Sequence, residues 1–232
     1  MVNRNGFINP KNTLIITAFV ADKDMKQLTE CRTGNERRTV PLKKRRIPPL
    51  LSDLLQTTLT LYDGVLFDEY EACPYCGGEL SGYDINKKQF AIVMEREQRR
   101  VVIVLVKRFL CHQCGQVCLA KQPFYPDTRI GSPVVDLCVT LSETMPYSRV
   151  SSCLADMGII VDRWSVRNYV QKNRRMIPAA EMFGFRIPLS IVSLSSLAMG
   201  MSGGGKADGP SLLNACGNPW VRETSAGLPH GI

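Results

Sequence analysis

Val101-Val102-Ile103-Val104-Leu105-Val106-Lys107-Arg108-Phe109-Leu110-Cys111-His112-Gln113-Cys114-Gly115 is the stretch on which the fold turns. Its first six residues carry no polar break, so periodicity alone does not separate a strand from a buried helix. The β-branched side chains and the cysteine pair that follows decide for a strand. Upstream, Gln89 to Glu95 has the same character, and the charged run Arg96 to Arg100 between the two reads as a hairpin connection.

The cysteine pair has a counterpart. Cys73-Pro74-Tyr75-Cys76-Gly77 and Cys111-His112-Gln113-Cys114-Gly115 are two copies of Cys-x-x-Cys-Gly, 34 residues apart. A tight turn lets two thiolates grip one ion, and two such turns complete a tetrahedron of soft ligands, the arrangement zinc takes in structural sites. Glycine after the second cysteine suits the turn, because it accepts positive φ. The hairpin accounts for the long separation. One structural Zn2+ per chain is therefore expected on Cys73, Cys76, Cys111 and Cys114. Four cysteines close the shell and leave no place for a catalytic water, and no βαβ pattern supports a redox pair. Cys118 is an alternative to Cys114, but the Cys-Gly turn argues for Cys114. Cys138 and Cys153 read as packing residues on or beside helix faces, Cys31 and Cys216 are isolated, and His112 and His230 read as surface histidines.

The chain has 232 residues, 44% of them hydrophobic and 22% charged, with nine cysteines and a net charge of +8. That composition is globular, not disordered, and the basic balance favours a polyanionic partner, chiefly nucleic acid. No apolar run reaches the roughly 18–20 residues that span a bilayer. Thr13 to Ala21 follows Asn9-Pro10-Lys11-Asn12 and lacks a small-residue cleavage site, so a cytoplasmic location is expected. Asn12 to Val20 reads as a short strand, Arg37 to Arg46 as a flexible basic linker, and Leu50 to Leu61 as a helix.

Downstream of the second knuckle the period changes. Val134, Leu137, Cys138, Leu141 and Met145 form an apolar helical stripe, with Ser132 as N-cap and Pro133 at the first helical position. A second helix carries Tyr147, Val150, Leu154 and Met157 and stops at Gly158. Asp162 caps a third, whose inner face holds Val166, Tyr169 and Val170. This is the layout of a helix-turn-helix. On the outer face Arg163, Trp164, Arg167, Asn168 and Gln171 fall together, side chains suited to base edges. Lys172, Arg174 and Arg175 follow where phosphates would lie.

After Pro178 the pattern is punctuated by Pro188, Gly200 to Gly205, Pro210, Pro219 and Pro229, and reads as a poorly ordered Gly/Pro-rich tail. Gly200 to Ala207 nearly matches a phosphate-binding loop, but Ala207 stands where a hydroxyl is needed, and a flexible linker is the better reading.

The order of these parts resembles the N-terminal region of insertion-sequence transposases of prokaryotic and archaeal type. The resemblance rests on the two knuckles, on Lys107-Arg108-Phe109-Leu110 before the second, on Met145-Pro146-Tyr147-Ser148-Arg149-Val150, on Gly158-Ile159 and on Ser165-Val166-Arg167-Asn168-Tyr169-Val170. It implies binding of terminal inverted repeats in DNA. The family's catalytic domain carries three metal-binding carboxylates. Here the acids after Pro178 are Glu181, Asp208 and Glu223, in a stretch shorter than the roughly 100 residues a two-metal domain needs.

The expected molecule is thus an α+β protein. Residues 1–61 are a basic N-terminal segment without an assigned role. Residues 62–126 are a small zinc-ribbon β unit, and residues 130–177 a helix-turn-helix domain. Residues 178–232 are a tail that stands as a possible catalytic-domain remnant. Its expected partner is double-stranded DNA in the nucleoid, with no membrane and room for a homo-oligomer. The expected function is sequence-specific, transposase-like DNA binding without a competent active site. The rivals are a transcription regulator built from the same parts and a zinc-stabilised protein-interaction module.

Overall fold

A computed structural model describes residues 46–201 and 207–217. The expected strand over Asn12 to Val20, the basic run up to Arg45, most of the phosphate-loop look-alike, Cys31 and His230 lie outside the described residues.

The described chain is mixed α and β. Helix α1 (Pro49–Thr60) leads into β1 (Leu66–Phe67), β2 (Leu80–Glu95), β3 (Gln98–Cys111) and β4 (Val117–Leu119). Helices α2 (Ser132–Ser142), α3 (Tyr147–Asp156) and α4 (Arg163–Lys172) follow, then β5 (Ala179–Met182), β6 (Phe185–Pro188), α5 (Leu189–Gly200) and α6 (Gly209–Ala215).

β2 and β3 form a long antiparallel ribbon. β1 pairs parallel with Leu105 and Val106 of β3, and β4 pairs antiparallel with Arg108 to Leu110. The unbroken run in β3 resolves by alternation: Val102, Val104 and Val106 are fully buried while Val101 and Ile103 are exposed, as one covered face and one open face require. The hairpin turn is tighter than the five-residue run Arg96 to Arg100 suggests. Glu95 already pairs with Gln98, leaving Arg96 and Glu97 as the turn, both with positive φ. That is the sense of a two-residue turn that follows the twist of the strands. Arg100 steadies it, donating to Glu95 and to Asp63 at 2.9 Å each.

A register shift between Gln89 and Ala91 lets Phe90 and Ala91 both be buried, which strict alternation forbids. Phe90 stacks on Tyr62 with centroids 3.9 Å apart and meets Phe124 edge-on at 5.9 Å. Around these rings one continuous core gathers α1, the inner sheet face, α2 to α4, β6, α5 and α6.

Two sequence expectations need correction. Ser132 is not the N-cap of α2. Gly131 takes that place, its N–H donating to the Phe90 carbonyl at 2.8 Å, and a Cβ there would sit 2.0 Å from the Phe90 ring. The tail is not disordered over its described part. Phe185, Ile187, Ile191, Leu194, Leu212 and Leu213 are buried, and β6 and α5 pack on α2.

The punctuation that suggested disorder instead ends elements. Phe183 and Gly184, both at positive φ, form the β5–β6 turn; Pro188 precedes α5 and Pro210 opens α6. The tail also explains why α2 is buried from Ser132 to Leu141 and not only along a stripe. Asp136 of α2 is satisfied inside, accepting from the Tyr125 hydroxyl at 2.6 Å and from the Ser190 hydroxyl at 3.1 Å.

Candidate metal centre and the exposed face of α4

Residues 73–77 and 111–115 fold into the same turn. Gly77 N–H donates to the Cys73 carbonyl at 2.8 Å and Gly115 N–H to the Cys111 carbonyl at 3.0 Å. Both glycines have positive φ, +72° and +67°, as the Cys-x-x-Cys-Gly pattern predicts. Each turn is closed a second time, by Cys73 N–H to Gly78 and by Cys111 N–H to Gln116, 3.0 Å each. The hairpin brings the turns together, because Leu80 at the start of β2 pairs with Cys111 at the end of β3.

The four sulfurs converge. Cys73 Sγ lies 3.6 Å from Cys114 Sγ and Cys76 Sγ 3.5 Å from Cys111 Sγ, and all four lie within 4.8 Å of one another. A metal–sulfur distance of about 2.3 Å in a tetrahedron sets neighbouring sulfurs about 3.8 Å apart. The cluster can hold a metal ion.

Burial pushes the Cys73 thiol up, but amide N–H groups of Tyr75 and Cys76 and the thiols of Cys114 and Cys111 outweigh it and bring it down to about 6. Amide N–H groups of Cys114 and Gln113 also lower Cys111. The Gly78 amide acts to lower Cys76, yet hydrogen bonds with Cys111 and Cys114 leave it raised to about 12. Four thiolates this close repel one another, and a divalent cation removes that repulsion.

Cys118, set aside in favour of Cys114, is buried with its Sγ 3.9 Å from Cys73 Sγ. The spacing Cys114-x-x-x-Cys118 was its only signal in sequence. Cys138, Cys153 and Cys216 are buried in the main core, and burial raises the Cys138 thiol strongly.

The second feature is the surface of α4. α3 ends with Met157 as C-cap and Gly158 at φ +80°. Asp162 caps α4, its Oδ1 accepting from the N–H groups of Trp164 and Ser165 at 2.9 Å each. Val166 and Tyr169 are buried and Val170 is half-buried, against α2 and α3. Arg163, Trp164, Arg167, Asn168, Gln171 and Lys172 are all exposed. The Arg167 guanidinium lies 5.6 Å from the centre of the Trp164 ring, which is 68% exposed. Arg174 is exposed, while Arg175 turns back over the Tyr125 ring at 4.2 Å, so the structure does not group Arg175 with the exposed basic residues. The loop between α3 and α4 is tied to β2: Met94 N–H donates to the Gly158 carbonyl at 2.8 Å and Ile160 N–H to the Ile92 carbonyl at 2.9 Å.

No protein-family model matches the chain, and no curated protein or solved structure gives a significant match. Among the described residues no helix is long and apolar enough to cross a membrane.

The cap gives a measurable handle on α4. Asp162→Ala is expected to cost about 1 kcal/mol, read as a lower urea midpoint at neutral pH. Hydrogen bonds from Ser165, then from backbone N–H groups, hold the Asp162 carboxyl below its ordinary value. Its contribution is therefore complete above the ordinary carboxylate pKa of about 3.9. It fades as pH falls through the depressed folded value. The wild-type advantage over the variant should shrink below about pH 4; an advantage that grew on acidification would count against the cap.

Proposed function

We propose that this chain binds double-stranded DNA with sequence preference, α3 and α4 acting as a helix-turn-helix and α4 as its reading helix. The carrying observation is the exposed set Arg163, Trp164, Arg167, Asn168, Gln171 and Lys172 opposite the buried Val166 and Tyr169. Arginine matches the acceptor pair of guanine, asparagine and glutamine match adenine, and tryptophan offers an apolar surface to a thymine methyl. The net charge of +8 supplies long-range attraction. In this reading the four cysteines hold one zinc ion with a structural role, because an all-thiolate shell leaves no open position. The activity proposed is recognition of element ends in the manner of insertion-sequence transposases, in the nucleoid and without catalysis by this chain itself.

The test is a competition titration at two salt concentrations. Arg167→Ala should cost roughly 1–3 kcal/mol on the preferred site and relax preference at one position. Lys172→Ala should weaken all sequences alike and reduce the salt slope by about one unit. If both variants weaken specific and random DNA equally, α4 is only a basic surface.

A second reading, a metal-stabilised protein-interaction module, draws on the exposed Val101 and Ile103 of the outer sheet face. It predicts no salt-dependent DNA binding.

A further inference from the structure

A fifth sulfur, that of Cys118, lies beside the four-cysteine cluster at the end of the β2–β3 ribbon, 3.9 Å from Cys73 Sγ. Cys118 is 3% exposed, and with Cys73 and Cys111 it forms a small buried cluster that touches the main core through Leu80. A cysteine that only filled space would be surrounded by hydrocarbon, as Cys138 is. Cys118 instead has a ligand sulfur at 3.9 Å, close to the edge of about 3.8 Å in a tetrahedral all-thiolate shell.

The tetrad is unequal. Cys73 and Cys111 are buried, Cys76 and Cys114 exposed. The exposed Cys114 is followed four residues later by Cys118, whereas Gly77-Gly78-Glu79-Leu80 after Cys76 offers no sulfur. One exposed ligand has a buried cysteine nearby in sequence and the other has none.

We propose that Cys118 is a reserve ligand, so that the metal has two alternative four-sulfur shells. Both contain Cys73, Cys76 and Cys111; the fourth member is Cys114 in one and Cys118 in the other. Interchange replaces one metal–sulfur bond with another and leaves the coordination number at four. It requires the Cys118 sulfur, 3.9 Å from Cys73 Sγ, to approach Cys76 and Cys111 as well. Cys118 sits on β4, a three-residue strand paired with β3. The ligand class is a thiophilic divalent cation without directional preference, which zinc satisfies. Cys114 can then leave the shell to meet another partner while the metal stays.

This inference rests on reading the tetrad as a metal centre, and the experiment separates the two. Full-length wild type, Cys114→Ser, Cys76→Ser, Cys118→Ser and Cys114→Ser/Cys118→Ser are each loaded with Co2+, and the ligand-field and thiolate charge-transfer bands are recorded. A competing chelator is then added. Wild type, C114S and C118S are expected to show the four-thiolate spectrum and retain the ion. C76S and the double variant should show the weaker three-thiolate spectrum and lose it.

Far-UV circular dichroism of each metal-free chain separates loss of ligation from loss of folding. Cys114→Gly is a second variant should C114S fail to fold. If C114S and C114G lose the ion as readily as C76S while wild type keeps it, Cys118 is no reserve. If wild type itself binds neither Co2+ nor Zn2+, the metal-centre reading falls, and this inference with it.

Discussion

Replacing Cys76 or Cys111 with serine is expected to release the bound metal, taking about one equivalent per chain to none after mild chelation. Both belong to the four-sulfur cluster, and Cys111 also closes the ribbon by pairing with Leu80. The loss should stay local. The sulfur cluster and the main core are separate sets of buried residues, and the valines of β3 belong to the latter. Amide exchange should accelerate at Leu80 to Gly82, at Leu110 and Cys111 and through β4, while Val102 to Val106 keep their protection. Elemental analysis of the purified variants together with exchange mass spectrometry reads both halves. Retained metal would overturn the tetrad, and global unfolding would overturn the independence of the two cores.

The largest loss of stability should come from Phe90→Ala, about 3–5 kcal/mol. The ring is fully buried, stacked on Tyr62, edge-on to Phe124, and so close to Gly131 that no Cβ fits there. These neighbours come from the segment after α1, the loop before α2 and the start of α2, so the gap cannot close by moving one element. The cavity remains, and its cost adds to the lost transfer free energy. Urea unfolding with an unchanged m-value measures it. Val101→Ala, on the open face of the same ribbon at 44% exposure, is the control and should stay within about 0.5 kcal/mol.

What was legible in the sequence were features that a few adjacent residues decide by themselves. Gly77 and Gly115 at positive φ follow from the crowding of a Cys-x-x-Cys turn. Gly158 ends α3 and Asp162 starts α4 for equally local reasons, and the buried face of α4 is a matter of period alone.

The illegible features depend on residues distant in the chain. Ser132 has the side chain of a cap, yet its hydroxyl is buried without a hydrogen-bond partner, because the packing of Gly131 on Phe90 fixes where the helix begins. The prolines and glycines after Pro178 are breakers in any local reading. Only α2, with a second face to cover, turns Phe185, Ile187 and Ile191 into a core. The hairpin turn is a third case: Arg96 and Glu97 are poor residues for positive φ, and the long ladder beside them dictates it. At the cysteine cluster the tetrad was readable as spacing, but the approach of Cys118 to Cys73 required the pairing of β4 with β3.

The ribbon also works as a ruler. β2 begins beside the knuckles at Leu80 and reaches the α3–α4 loop at Met94, a run of about 45 Å at 3.3 Å per residue. The cysteine cluster and the loop leading into α4 are thus attached near opposite ends of one strand, with their separation set by backbone length. A one-residue change in strand length turns every following side chain to the other face unless a bulge absorbs it, as the register shift between Gln89 and Ala91 does. Without a new bulge the separation changes in steps of two residues, about 7 Å at a time. The reach of the ribbon therefore changes in quanta, or at the cost of a new bulge.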